Sequence, residues 1–171
     1  MLMIYAGRHI SGGHYNSAIT VSIYLRGIFD KNDILPYIIV QLIAAVSAAL
    51  VVMRFSLSED TSSEILTLGI EAIIAEFIFT FTLAYVVLHV ATTESTLDNN
   101  YYGAAIALVV LVGAMTVGSI SLASFNPAVS SALIFSGKIS LADSWIHFAP
   151  QFIGAVLATY LYRYSHRTTI Q

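Results

Sequence analysis

Apolar residues fall into four long runs along the chain, and short polar loops separate these runs. An α-helix needs about 20 apolar residues to cross the ~30 Å hydrocarbon core of a bilayer, and each run is close to that length. Charged residues inside the runs are few, with Glu71 and Glu76 in the second. The pattern predicts an all-α membrane protein with spans at about 34–53, 65–91, 102–119 and 145–162.

Two further apolar segments, at about 16–25 and 126–135, are only half as long. Each begins at an asparagine, which is a good helix N-cap, and Pro127 stands at the first helical position of the second segment. Ten residues at 1.5 Å each cover only about 15 Å of the bilayer. The sequence therefore predicts two capped half-length helices that enter the membrane without crossing it.

The two half-length segments belong to an internal repeat with a period of 110 residues. When the sequence is shifted by this period, Asn16 meets Asn126 and the register continues without a gap. Identities held over roughly forty residues in one register indicate a true repeat. Further identical pairs are Gly27 with Gly137, Asp33 with Asp143, and Gln41 with Gln151.

Three predicted spans separate the two half-length helices. An odd number of crossings reverses the direction in which the chain enters the membrane, so the half-helices enter from opposite faces. This arrangement is an inverted-topology repeat, which many membrane transport proteins contain. We assign residues 1–55 to the first repeat and residues 64–164 to the second, within one domain of residues 1–171.

Composition supports a membrane protein and excludes several other classes. Hydrophobic residues make up 57% of the chain, charged residues 10%, and the mean hydropathy is +0.80. A net charge of −3 argues against a nucleic-acid partner. With no cysteine in the chain, no disulfide framework and no cysteine metal site is possible. We predict no metal and no cofactor.

Charge also predicts an orientation, because cytoplasmic loops of membrane proteins are richer in lysine and arginine. With the predicted spans, Arg54 and Lys138 fall on one side of the membrane. The richer side should be cytoplasmic, which places the C-terminal tail in the cytoplasm. The residues on this side are Arg8, Arg26, Lys31, Arg163 and Arg167.

The motifs resemble those of the aquaporin and glycerol-channel family, whose signature is a pair of Asn-Pro-Ala half-helices in inverted repeats. The matching stretches are His-Ile-Ser-Gly-Gly-His-Tyr-Asn-Ser-Ala at 9–18 and Phe-Asn-Pro-Ala at 125–128. Gln41, Glu76-Phe-Ile-Phe-Thr-Phe and Gly154-Ala-Val also match, so the resemblance covers essentially the whole chain. It implies an aquaporin-like helical bundle and a passive channel, not an enzyme. The expected cargo is water or a small neutral solute such as glycerol or urea, and the expected assembly is a homotetramer.

The repeat and the resemblance together predict that the first repeat is incomplete. Subtracting the period from Glu64 places its start about 45 residues before Met1. The first span, and nearly all of the second, then fall outside residues 1–171. Because such a pore needs helices from both repeats, we expect residues 1–171 alone to be unstable or non-conducting.

The paired asparagines are the main candidates for the solute path. If Asn16 and Asn126 cap their helices through the side-chain oxygen, each amide NH₂ is left free to donate to a passing solute. Each helix N-terminus adds about half a positive charge, which repels cations. His14 precedes the first cap and either lines the cytoplasmic vestibule or is a satisfied loop histidine.

The sequence departs from the family pattern at two positions. Ser17 replaces the proline of the first motif, which predicts a small loss of rigidity. Val129 stands where most members carry an arginine. By resemblance, Ala114, Ala123 and Val129 occupy the constriction, and these small or aliphatic side chains predict a wider ring that admits solutes larger than water.

Glu76 is an ionisable residue inside a predicted span, which is costly unless the carboxylate has partners. In the resembling family the equivalent acid accepts backbone N–H groups from the loop before the half-helix, here around Ser124 and Phe125. We expect this bracing role in preference to proton transfer. His147 lies near a predicted span end, and we expect it at the membrane interface.

Two alternatives to a passive channel remain at this point. Inverted repeats with broken helices also build solute-coupled secondary transporters, although those usually carry ion-binding carboxylates at the centre, where Glu76 stands alone. A non-conducting degenerate fragment is the other alternative. Solute flux that is linear in the gradient and independent of ions would distinguish a channel from both.

Overall fold

A computed structural model describes residues 1–56 and 67–167 of the chain. Within these ranges the chain is helical, apart from loops and one 3₁₀ turn at Glu94–Thr96. The α-helices are α1 Leu2–Ser11, α2 Ser17–Arg26, α3 Lys31–Ser56, α4 Ile70–Thr92, α5 Tyr102–Ser121, α6 Pro127–Phe135 and α7 Trp145–Arg167.

Helices lie at each of the predicted spans and half-helices, with shifted ends. Among the described helices, α3, α4 and α5 are long and apolar enough to cross a membrane. The fourth predicted span lies in α7. This helix is longer than predicted, and it carries more polar residues than α4 or α5. α2 and α6 are the half-length helices, of 10 and 9 residues. The predicted boundaries at 64 and 65 lie outside the described residues.

The pattern of apolar runs does not predict α1, a ten-residue helix at Leu2–Ser11. The Tyr5 hydroxyl of α1 donates to the backbone oxygen of Asn100 at 2.9 Å, and its ring lies 5.0 Å from that of Tyr102. α1 therefore packs on the beginning of α5. Tyr5 and Asn100 are 95 positions apart in the sequence, so no local pattern predicts this contact.

The repeat extends to the backbone geometry at both half-helices. Asn16 and Asn126 have nearly the same dihedral angles, φ −154° and ψ 122° against φ −157° and ψ 116°. The preceding residues, Tyr15 and Phe125, both have φ 48°, a left-handed conformation that is unfavourable for side chains with a Cβ. Two sequences that share only part of their residues thus adopt the same strained entry into a half-helix.

The largest helix–helix contact joins α4 and α7 through small residues. At Gly154 an added Cβ would lie 2.7 Å from the Phe77 carbonyl oxygen and 3.0 Å from the Phe81 nitrogen. Backbone atoms cannot move aside as a flexible side chain would. Glycine at 154 therefore sets the distance between these two helices.

We expect Gly154→Ala to lower the free energy of unfolding by about 1–3 kcal/mol, because α4 and α7 must separate. The matched control is Gly118→Ala, since an added Cβ there meets nothing within 4 Å. Alanine favours a helix over glycine, so the control should be neutral or slightly stabilising. Thermal unfolding in detergent measures both. Equal midpoints for the two variants would contradict this packing account.

Candidate functional site

The two half-helices meet with their N-termini together, and each asparagine caps its own helix. Asn16 Oδ1 accepts hydrogen bonds from the backbone N–H groups of Ala18 and Ile19 at 2.9 and 3.3 Å. Asn126 Oδ1 accepts the N–H of Ala128 at 3.0 Å. Both side chains are more than nine-tenths buried, and both border one cavity.

The asparagine amides are not wholly free, which corrects the sequence-based expectation. Asn16 Nδ2 donates to the backbone oxygen of Phe125, and Asn126 Nδ2 donates to that of Tyr15, both at 2.8 Å. Each NH₂ carries two hydrogens, and one of them donates to the opposite loop. The reciprocal bonds tie the two repeats together at the site itself.

The serine that replaces proline at position 17 adds contacts that proline could not make. Its backbone N–H points to Asn126 Oδ1 at 3.4 Å, and its hydroxyl donates to Gln41 Oε1 at 2.8 Å. Pro127 has no N–H, so the other half-helix lacks the first of these contacts. The added hydrogen bonds offset part of the rigidity that is lost without proline.

Glu76 is fully buried and its carboxylate accepts four hydrogen bonds. The Ser121 hydroxyl and the Ser124 N–H donate to Oε1 at 2.7 and 3.0 Å. The Phe125 N–H and Gln151 Nε2 donate to Oε2, both at 2.7 Å. Ser124 and Phe125 are the loop residues that the family resemblance predicts as donors, and their bonds hold the loop directly before Asn126.

The sequence did not predict a buried polar network around Ser130 of α6. Ser130 Oγ lies 2.7 Å from Ser124 Oγ, 3.0 Å from His147 Nδ1 and 2.9 Å from Gln151 Nε2. His147 is fully buried, so the expectation of an interfacial histidine is wrong. The repeat offered a signal, because Gln151 aligns with Gln41, which binds Thr20 of the other half-helix at 3.0 Å.

His14 both lines the cavity and has partners, so the two readings of this residue hold together. Its Nδ1 lies 3.3 Å from Thr20 Oγ1, and its backbone N–H donates to the Tyr37 hydroxyl at 3.2 Å. Burial in this loop, outside the membrane-spanning helices, lowers the pKa of His14 to about 4. The imidazole is therefore neutral near pH 7.

The cavity has a volume of about 510 Å³ and contains some of the predicted path residues, but not all. Val129 borders it and is 41% exposed. Ala123 is half-buried and packs against the hydrophobic core that contains Phe125. Its φ is 47°. Ala114 is exposed one turn beyond Val110, which does border the cavity. Thus Asn16, Asn126, His14 and Val129 share one cavity, and Ala114 and Ala123 are not among its described lining residues.

Comparison with known proteins identifies the family. Residues 1–162 match the family model described as major intrinsic protein. The chain is 30% identical over 174 residues to Aquaporin NIP1-2 of Arabidopsis thaliana, which covers 95% of this chain and 58% of that protein. It is 29% identical to Aquaporin Z of Photorhabdus laumondii, covering 95% and 77%, and 32% identical to Aquaporin TIP4-1 of Zea mays, covering 94% and 64%. The chain spans about three fifths of the length of these plant relatives.

Proposed function

This chain belongs to the major intrinsic protein family, and on that premise we propose that it forms a passive membrane channel for water and small neutral solutes. The observation that supports the proposal most strongly is the meeting of two capped half-helices beside one cavity. Asn16 and Asn126 each keep one amide hydrogen that is not used by the opposite loop. A hydroxyl or carbonyl oxygen of a solute can accept from both.

The same arrangement disfavours cations. Two helix N-termini face the centre, and each carries roughly half a positive charge. A neutral solute exchanges its bonds with water for bonds with the two amides, whereas a cation meets positive ends from both repeats. The site is therefore suited to neutral cargo, and the aliphatic Val129 suits solutes of the glycerol and urea class.

Glu76 has a bracing role in this proposal. Its carboxylate accepts two backbone N–H groups of the loop that positions Asn126. Every described partner of the carboxylate is a hydroxyl, an amide or a backbone group, and no second carboxylate is among them. The arrangement suits a channel better than an ion-coupled carrier, which would need a cation site at the centre.

Orientation and assembly complete the proposal. Arg26 lies over the Tyr162 ring at 5.1 Å, and Arg163 donates to the Leu25 oxygen at 3.2 Å, so these cations share one end of the molecule. We assign this end, with the C-terminal tail, to the cytoplasm. We assign a homotetramer with one pore in each subunit by analogy with the family.

The test uses the protein reconstituted in liposomes. Osmotic shrinkage measures water flux, and swelling in isotonic glycerol or urea measures solute flux. A channel predicts fluxes that are linear in the gradient and unchanged when sodium or proton gradients are removed. Flux that requires an ion gradient would indicate a carrier, and no flux above that of protein-free liposomes would contradict a conducting role.

A further inference from the structure

One charged side chain, that of Arg8, borders the cavity at the paired asparagines. No other arginine, and no lysine, aspartate or glutamate, belongs to the described residues that line it. Val129, which borders the same cavity, has an aliphatic side chain. Within the described structure the fixed cation of the cavity is therefore Arg8.

The Arg8 guanidinium is held from two sides. Its Nη2 donates to the backbone oxygen of Ala91 at 3.1 Å, and its Cζ lies 4.3 Å above the centre of the Tyr102 ring. Ala91 lies in the last turn of α4, where the negative end of the helix dipole stabilises a cation. The ring adds a cation–π interaction. These contacts fix the charge in position, and the other guanidinium hydrogens remain available to the cavity.

The Arg8 guanidinium lies nearer one end of the cavity than the asparagines do. Tyr102, Ile106 and Val110 border the cavity on successive turns of α5, and Arg8 lies over the first of them. Phe125, which precedes Asn126, packs at Gly113, eleven residues along the same helix. At 1.5 Å per residue, about 16 Å of helix separates the two levels.

We propose that Arg8 is a first barrier to cations in this pathway, ahead of the two helix N-termini, acting at the end of the cavity where α4 finishes. It repels cations before they reach the asparagines, and it lets neutral solutes and small anions enter. The inference rests on the proposed function for its meaning in transport, but the charge that it assigns to the cavity can be measured without any flux.

The experiment places a reporter cysteine at Ile106, one turn from Tyr102, in a chain whose residues 1–171 contain no cysteine. Two methanethiosulfonate reagents, one with a sulfonate and one with a trimethylammonium group, modify the reporter in membrane vesicles. The protein without the added cysteine gives the background. The measured quantity is the ratio of the anionic to the cationic modification rate.

We expect Arg8→Met to lower this ratio at Cys-substituted Ile106 about tenfold, and Arg8→Lys to leave it within about threefold of the parent. A reporter at Leu141, which is 77% exposed in a loop, is the matched control and should show no change with either variant. An unchanged ratio at position 106 after Arg8→Met would overturn the proposal.

A second comparison needs no change at Arg8 and so does not depend on the folding of that variant. In the parent, the ratio at position 106 should exceed the ratio at position 141 about tenfold, and equal ratios would overturn the proposal. Charge selectivity without water flux would contradict the channel function while supporting Arg8 as the cation barrier. Water flux without charge selectivity would support the channel function and contradict Arg8 as the cation barrier.

Discussion

Glu76→Leu should prevent the protein from folding, whereas Glu76→Gln should leave a folded but weaker protein. Leucine removes an acceptor from four buried donors, of which Gln151 Nε2 keeps Ser130 Oγ at 2.9 Å, and each group left unpaired costs about 1–3 kcal/mol. That sum is comparable to the whole stability of a typical domain. Expression yield, gel filtration and thermal unfolding in detergent measure the loss.

Glutamine should be milder because its side-chain oxygen can keep the two bonds that Oε1 accepts from Ser121 and Ser124. Its NH₂ group would then face the Phe125 N–H, and we expect a loss of about 1–3 kcal/mol from this mismatch. Gln151 can relieve part of it, since its own Oε1 is buried and has no partner among the described residues.

The control for this pair is Glu71→Leu, five residues earlier on the same helix, because Glu71 is exposed. This variant should fold like the parent. If leucine and glutamine at position 76 reduced solute flux equally while assembly stayed intact, the carboxylate would act through its charge or its proton. Bracing of the loop would then be wrong.

Val129→Arg should suppress glycerol and urea flux about tenfold and water flux at most a few-fold. The guanidinium is larger than isopropyl and brings five hydrogen-bond donors, so it narrows the cavity beside Asn126 while compensating water for its lost bonds. The exposed position of Val129 leaves room for the longer side chain. Stopped-flow light scattering on liposomes with the full-length protein measures both fluxes.

Val129→Leu is the matched control for the arginine variant, since it adds volume at the same place without charge or donors. Leucine should reduce glycerol flux less than arginine does. The ratio of glycerol flux to water flux should stay close to that of the parent. A parent protein that passes water but excludes glycerol and urea would contradict our reading of Val129.

The local pattern of the sequence predicts much of this architecture. Caps at Asn16 and Asn126, glycines after the half-helices, and the length of each apolar run are encoded by neighbouring residues. The repeat relates the two halves without any structure. Glu76 could be matched to its loop only through the family resemblance, because its partners are 45 to 75 residues away.

The remaining features depend on contacts that no local pattern records. The bonds from each asparagine to the opposite loop join residues 109 and 111 positions apart, so the amides looked free in the sequence. His147 looked interfacial because it is near a helix start, yet Ser130 reaches it from α6. Arg8 has no neighbour in sequence that predicts its contact with Ala91.

The most direct test of the account asks whether the solute path runs through the cavity beside the two asparagines. A cysteine introduced at Val129 and treated with a mercurial should block most of the glycerol flux of the full-length protein, and excess thiol should restore it. The parent and a Leu141→Cys control should be unaffected by the same treatment. Full glycerol flux after complete modification at position 129 would show that the solute takes another route.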